Sequence, residues 1–197
     1  MTRQHLMMIA LLSGISLAPA ANGAMRLDEV FQDHAVLQRD RPVPVWGEAN
    51  AGDQVTVSIN GQSVSGTADR DGHWRVTLNP LPAGGPFALK ASASGSEQTV
   101  NDVLVGDVWL CSGQSNMELP VSRTLNAEDE LNQAKDDSIR LLTVAHETSP
   151  APLAHFKSPV KWVAANRDTL REFSAACYYF ARDLKKTVKA PMGLIHA

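Results

Sequence analysis

Apolar and polar residues alternate through the first half of the chain and give way to unbroken apolar runs in the second. Val55-Thr56-Val57-Ser58-Ile59 has the period of a half-buried strand, and Asn60-Gly61, two residues that tolerate positive φ, predicts a hairpin returning through Gln62 to Gly66. Val43 to Gly47 reads as a short strand whose Pro44 suits a sheet edge. Asp71-Gly72 turns into Trp74 to Leu78, again alternating, and Phe87 to Ala91 follows a Pro/Gly loop over Pro80 to Pro86. Short strands divided by turn residues predict an antiparallel β-sandwich over residues 25–103. Trp46 and Trp74 could stack on sugar rings, but their place in alternating strands suits the sandwich core better.

The pattern changes near Val100. Val103 to Val105 and Val108 to Cys111 are continuous apolar runs, the signature of strands buried on both faces. Asn126 is placed to cap a helix from about Ala127 to Ala134, with Glu128, Asp129 and Glu130 in its first turn. Ile139 to Val144 reads as a second buried strand, and His146 to Ser158 as a Pro/Ala-rich loop. Trp162 to Ala164 is a short extended piece. Leu170, Phe173, Cys177, Phe180, Ala181 and Leu184 recur at helical spacing, predicting a helix over about Thr169 to Val188. Pro191 ends it and Met192 to Ala197 starts a third strand. Alternating strands and helices predict the opening half of a parallel, three-layer α/β domain over residues 104–197.

Chemistry enters at Ser112-Gly113-Gln114-Ser115-Asn116, where the Val108–Cys111 run meets a turn of small and polar residues. A hydroxyl at the carboxyl edge of a buried strand is where α/β enzymes present a nucleophile. Gly113 permits a sharp turn, and Gln114 and Asn116 flank Ser115 with amides able to hold an ester carbonyl or a sugar hydroxyl. By spacing and residue type alone, a polar loop is the commoner meaning of such a segment.

Gly113-Gln114-Ser115-Asn116-Met117-Glu118, preceded by Gly106-Asp107-Val108-Trp109, resembles the first block of the sialate O-acetylesterase family, part of the SGNH (GDSL-like) hydrolase superfamily. Val36-Leu37-Gln38-Arg39-Asp40, Pro42 to Gly47 and Gly84 to Phe87 resemble the β-rich segment before that block, and Phe173 to Phe180 and Pro191 to Ile195 resemble segments after it. The resemblance implies that Ser115 is the nucleophile towards acetyl esters of sugars, and the flanking amides of Gln114 and Asn116 are then the residues expected to bind the substrate. It further implies an oxyanion hole completed by a glycine and an asparagine of later blocks, and a histidine base near the family's carboxyl terminus. None of these matches a residue here. His196 falls on a strand position, and the Asp71–His73 and Asp33–His34 pairs lie in the β-rich part. His146 and His155 have no carboxylate at a useful spacing and read as loop residues.

Composition adds bounds. Of 197 residues, 44% are hydrophobic and 20% charged, an ordinary folded protein, and the net charge of −3 offers nothing to nucleic acid. Lys185, Lys186 and Lys189 cluster at a helix end as a solvated face. Arg3, the apolar stretch Leu6 to Leu17 and Ala18-Pro19-Ala20 make residues 1–20 a signal peptide, so the protein is expected to be secreted or periplasmic and, after cleavage, free of the membrane. Cys111 and Cys177 could pair, but their placement on a buried strand and an apolar helix face suits two small buried hydrophobes. Metal-ligand spacing is absent and no cofactor is implied.

The combined expectation is a secreted carbohydrate O-acetylesterase acting on an acetylated carbohydrate, represented by a sandwich and a truncated hydrolase domain, and inactive or nearly so as 197 residues. Such a half-sheet should leave its last strand as an exposed apolar edge. The competing reading is a non-catalytic glycan-binding sandwich protein with a vestigial hydrolase segment; a third is hydrolysis of another ester, disfavoured by the polar residues Glu118, Ser122, Arg123 and Thr124 after the serine.

Overall fold

The computed structural model describes residues 24–197, so the expected signal peptide lies outside the described residues. Its first elements are β1 (Arg26–Leu27), β2 (Val36–Gln38), β3 (Val43–Glu48), β4 (Gln54–Ile59), β5 (Gln62–Thr67), β6 (His73–Leu78) and β7 (Gly84–Ala93). The hairpin β4–β5 turns at Asn60 and Gly61, whose φ values of 47° and 77° are those a two-residue hairpin of matching twist requires. β1, β3 and β6 form a three-stranded sheet, while β4, β5 and β7 belong to a longer one. The two sheets share a core containing Val45, Val57, Leu78, Leu89 and Val103. Each fully buried side chain of this size contributes about 1.5–3 kcal/mol relative to exposure. The two tryptophans face opposite ways. Trp74 points inward and is 2% exposed, whereas Trp46, one residue after the buried Val45, points outward and is 37% exposed. The expectation of a core role therefore fails for Trp46.

The two apolar runs expected as separate strands are one strand, β8 (Ser96–Cys111). From Ser96 to Val105 it pairs with β7, and Leu104–Gly106 also takes β2 in parallel. Beyond Gly106 its partner becomes β11 (Met192–His196), in parallel over Asp107–Cys111. A Cβ on Gly106 would collide with the Pro191 carbonyl oxygen, so the change of partner needs a glycine there. The run is also less buried than its composition implies. Over Asp107–Cys111, β11 is the single paired strand among the described residues, and Leu110 is 70% exposed.

After β8 come α1 (Ser115–Glu118), α2 (Ala127–Gln133), β9 (Lys135–Thr143), β10 (Trp162–Asn166), α3 (Arg167–Leu170) and α4 (Ala175–Leu184), and then β11. The last strand is not an edge: β11 lies between β8 and β9, with Met192 and Leu194 fully buried. Antiparallel β10 covers the far side of β9. Ile139, Leu141, Met192 and Leu194 meet the helices on one face, while Leu142 packs with Ala35, Val36, Val160 and Trp162 on the other.

Two helix expectations change. Asn126 stands at the start of α2 in a left-handed conformation, φ 58°, and makes no side-chain cap. The long helix expected from Thr169 is broken into α3 and α4 because the intervening backbone bonds elsewhere. The Phe173 carbonyl accepts from Val121 N–H at 3.1 Å, and Ala175 N–H donates to Leu119 O at 2.9 Å. Asn166 and Thr169 form a reciprocal cap on α3, and the Ser174 hydroxyl caps α4.

The cysteines are paired. Cys111 at the end of β8 and Cys177 in α4 form a disulfide with Cα atoms 5.9 Å apart, so the reading as two independent hydrophobes is corrected. Neighbouring in sequence they are not, and only folding brings them within bonding range. A second tie crosses the molecule: Asp102 Oδ2 receives His34 Nδ1 at 2.6 Å and Arg140 Nη2 at 2.8 Å. Burial alone would raise the Asp102 carboxyl, but the His34 hydrogen bond and the Arg140 charge outweigh it and hold it below the ordinary carboxylate range.

Removing the disulfide as Cys111→Ala with Cys177→Ala is expected to cost about 2–4 kcal/mol in urea unfolding, chiefly by freeing the unfolded chain; an unchanged midpoint would contradict this. Asp102→Asn leaves the buried Arg140 without its counter-ion and should cost about 1–3 kcal/mol at pH 7. Because the folded carboxyl is depressed, its contribution is present above the unfolded value and lost as pH falls through the folded one. The variant should therefore show a flatter acid-side decline in stability than the parent.

Candidate functional site

Ser115 is the first residue of α1, immediately after the turn that closes β8. The backbone is drawn into the helical turn by Met117 N–H donating to Gln114 O at 2.7 Å. Gln114 occupies the N-cap position with no side-chain cap bond, and Asn116 lies within the helix. Gln114, Ser115 and Asn116 are all exposed, so the expected nucleophile and its two amides do share one accessible turn. An added Cβ on Gly113 would come no closer than 3.7 Å to Met117 Cβ, so available space does not demand glycine there.

The turn sits over the carboxyl ends of three neighbouring strands. Cys111 of β8 and Thr143 of β9 are both level with His196 of β11. His196 is 9% exposed, with its ring centroid 5.7 Å from Phe173 and 6.1 Å from His146. Its Nε2 is buried without a hydrogen-bond partner. Burial and the neighbouring His146 push the imidazole pKa below its ordinary value, against the opposing pull of Glu118 and the Met117 backbone. The buried ring is thereby kept neutral at neutral pH.

His146 Nδ1 lies 3.1 Å from Glu118 Oε1, so a residue read as a loop histidine without a carboxylate partner joins the serine-bearing helix. His155 likewise finds carboxylates, Glu29 at 3.3 Å and Glu48 at 3.4 Å. Sequence spacing could not reveal these pairs, because each joins segments far apart in the chain. The carboxyl end of the sheet thus gathers Ser115, Glu118, His146 and His196.

A serine hydroxyl needs a base within about 2.6–3.2 Å, or one water away, to become an effective nucleophile. Among the described residues, no side chain is hydrogen-bonded to the Ser115 hydroxyl. The described part presents the hydroxyl on the same short helix as Glu118, which His146 meets. No group of three or more His, Cys, Asp or Glu side chains among the described residues could hold a metal ion. No helix among them is long and apolar enough to cross a membrane.

No protein-family model matches the chain. The chain is 33% identical over 194 residues to the sialate O-acetylesterase of Homo sapiens, covering 89% of this chain and 37% of that protein. It is 32% identical over 209 residues to the sialate O-acetylesterase of Rattus norvegicus, covering 96% and 38% respectively. Its fold superposes with a TM-score of 0.84 and 37% identity on the crystal structure of a carbohydrate acetylesterase from Xanthomonas citri, over 87% of this chain and 39% of that one. The chain therefore spans well under half the length of the relatives it matches. Over that span the chain is related in sequence to the sialate O-acetylesterases and shares the fold of a carbohydrate acetylesterase.

Proposed function

We propose that this chain is the nucleophile-bearing part of a secreted or periplasmic carbohydrate O-acetylesterase. The observation that carries the reading is the exposed Ser115 at the carboxyl end of a parallel strand, in a chain similar to carbohydrate acetylesterases by sequence and fold. In finer terms, residues 25–103 are a sandwich module and residues 104–197 the opening part of an SGNH-type hydrolase domain. The Cys111–Cys177 bridge supports an oxidising compartment.

The chemistry is acyl transfer. Ser115 Oγ attacks the acetyl carbonyl carbon, its proton passing to a base as the oxyanion forms. Collapse breaks the bond to the sugar oxygen, which takes the proton back from the base and leaves as a hydroxyl, and an acetyl-serine ester remains. Water then attacks that ester, releasing acetate and restoring the hydroxyl. Gln114 and Asn116 serve the substrate with amide hydrogen bonds beside the reacting group. Backbone N–H groups at the start of α1, including that of Ser115, are available for the developing negative charge.

In a protein carrying this segment at the full length of its relatives, Ser115→Ala should lower kcat/KM for an acetylated sugar by at least about 10³-fold with the fold unchanged. The 197-residue chain alone should release little 4-nitrophenol from 4-nitrophenyl acetate beyond its Ser115→Ala variant. A full-length Ser115→Ala enzyme with undiminished turnover would remove the serine from this role.

A further inference from the structure

A cleft of about 530 Å³ separates the three-stranded sheet from the loop that follows β9. Its walls are Trp46 from β3, Asp28 and Glu29 beyond β1, and Leu153, Phe156 and Glu147 from the loop. A side lobe of about 240 Å³ continues past Trp46 towards Glu48 and His73. The main volume lies within the range that small-molecule sites occupy.

The aromatic wall is rigid and open. Phe31 packs edge-on against the Trp46 ring, centroids 4.8 Å apart at 77°, while 37% of Trp46 remains exposed. Opposite it, Leu153 is 50% exposed. The loop is moored to the sheet side: Gln32 Nε2 donates to Val160 O at 2.8 Å, and Trp162 Nε1 donates to Val30 O at 3.0 Å. His155 bridges Glu29 and Glu48 from the loop to the floor. The gap is thus held open between anchored walls.

The cleft's charge is one-sided. Asp28, Glu29, Glu48 and Glu147 face it with two nearby cations, Arg26 and Lys157. Both cations are already engaged, Arg26 with Glu48 at 2.8 Å and Lys157 with Glu147 at 3.4 Å. The Arg26 hydrogen bond outweighs burial and keeps the Glu48 carboxyl below its ordinary range, so it stays ionised. An exposed indole beside acceptor-only carboxylates suits a ring with apolar C–H faces and hydroxyl donors at its rim. The same carboxylates repel a ring that carries its own carboxylate.

We propose that this cleft binds a neutral pyranose unit of the glycan, with Trp46 as the stacking platform and Glu29 and Glu48 accepting from its hydroxyls. The site adjoins the serine turn. Ala145 and Glu147 line the cleft, and between them His146 reaches Glu118 of α1. A sugar chain that fills the cleft therefore lies against the loop that meets the serine-bearing helix, and the favoured substrate is an acetylated neutral polysaccharide, not a sialylated glycan. The proposal rests on the carbohydrate-esterase reading for its ligand class alone.

The test is isothermal titration of the 197-residue chain and its Ser115→Ala variant with xylohexaose, cellohexaose, mannohexaose and 3′-sialyllactose. At least one neutral hexaose should bind, equally well to both, and sialyllactose at least about ten-fold more weakly. Trp46→Ala should weaken the neutral ligand at least about ten-fold, and Trp46→Phe should recover much of that loss. Glu29→Gln and Leu153→Asp, both at accessible positions, should weaken it several-fold without touching the core. No binding of any neutral hexaose, indifference to Trp46→Ala and Leu153→Asp, or a preference for sialyllactose would overturn the proposal. Deacetylation by the longer protein reports separately: Ser115-dependent turnover without cleft binding sinks the cleft alone, and binding without turnover sinks the esterase reading alone.

Discussion

One strand supplies hydrogen-bonding edges to both parts of the molecule. The first two-thirds of β8 completes the antiparallel sheet against β7, and its last five residues begin the parallel sheet against β11. A strand is stiff over this length, so the serine turn at its end is aimed by the packing of the whole amino-terminal core. The Gly106 position makes the exchange of partners possible by letting the Pro191 carbonyl approach the backbone. The disulfide then holds the strand's end to α4, and the Asp102–Arg140 pair ties the middle of the strand to β9. Each tie acts on the same element from a different side.

Around the serine turn the polar groups are layered by burial. Ser115, Gln114 and Asn116 face solvent, Glu118 and His146 pair at the rim, and His196 lies beneath them, neutral and nearly enclosed. An enclosed imidazole with a free nitrogen is costly unless a partner arrives or the site has a use for it. Just before this turn Trp109 packs against Phe180 on the helix face while the exposed Leu110 points to the opposite face of the strand.

The cleft proposed for sugar and the serine-bearing helix both meet the loop after β9. Val144, Ala145 and Glu147 line the Trp46 cleft while His146 reaches α1.

Local alternation and turn chemistry were enough to read β3 to β7, the Asn60-Gly61 hairpin and the position of Ser115 at a strand's end. These depend on neighbours in sequence: side-chain period, left-handed tolerance and the meeting of an apolar run with a polar turn. The three-dimensional structure alone decided that β11 inserts between β8 and β9, that Cys111 meets Cys177, and that residues 171–174 leave the helix to bond with the segment after the serine. It also decided that Trp46 is a surface residue and Trp74 a core one, although both sit in similar alternating strands. Which free strand edge is filled, and which face of a sheet is covered, are settled by competition among segments distant in the chain. No local pattern records the outcome of that competition.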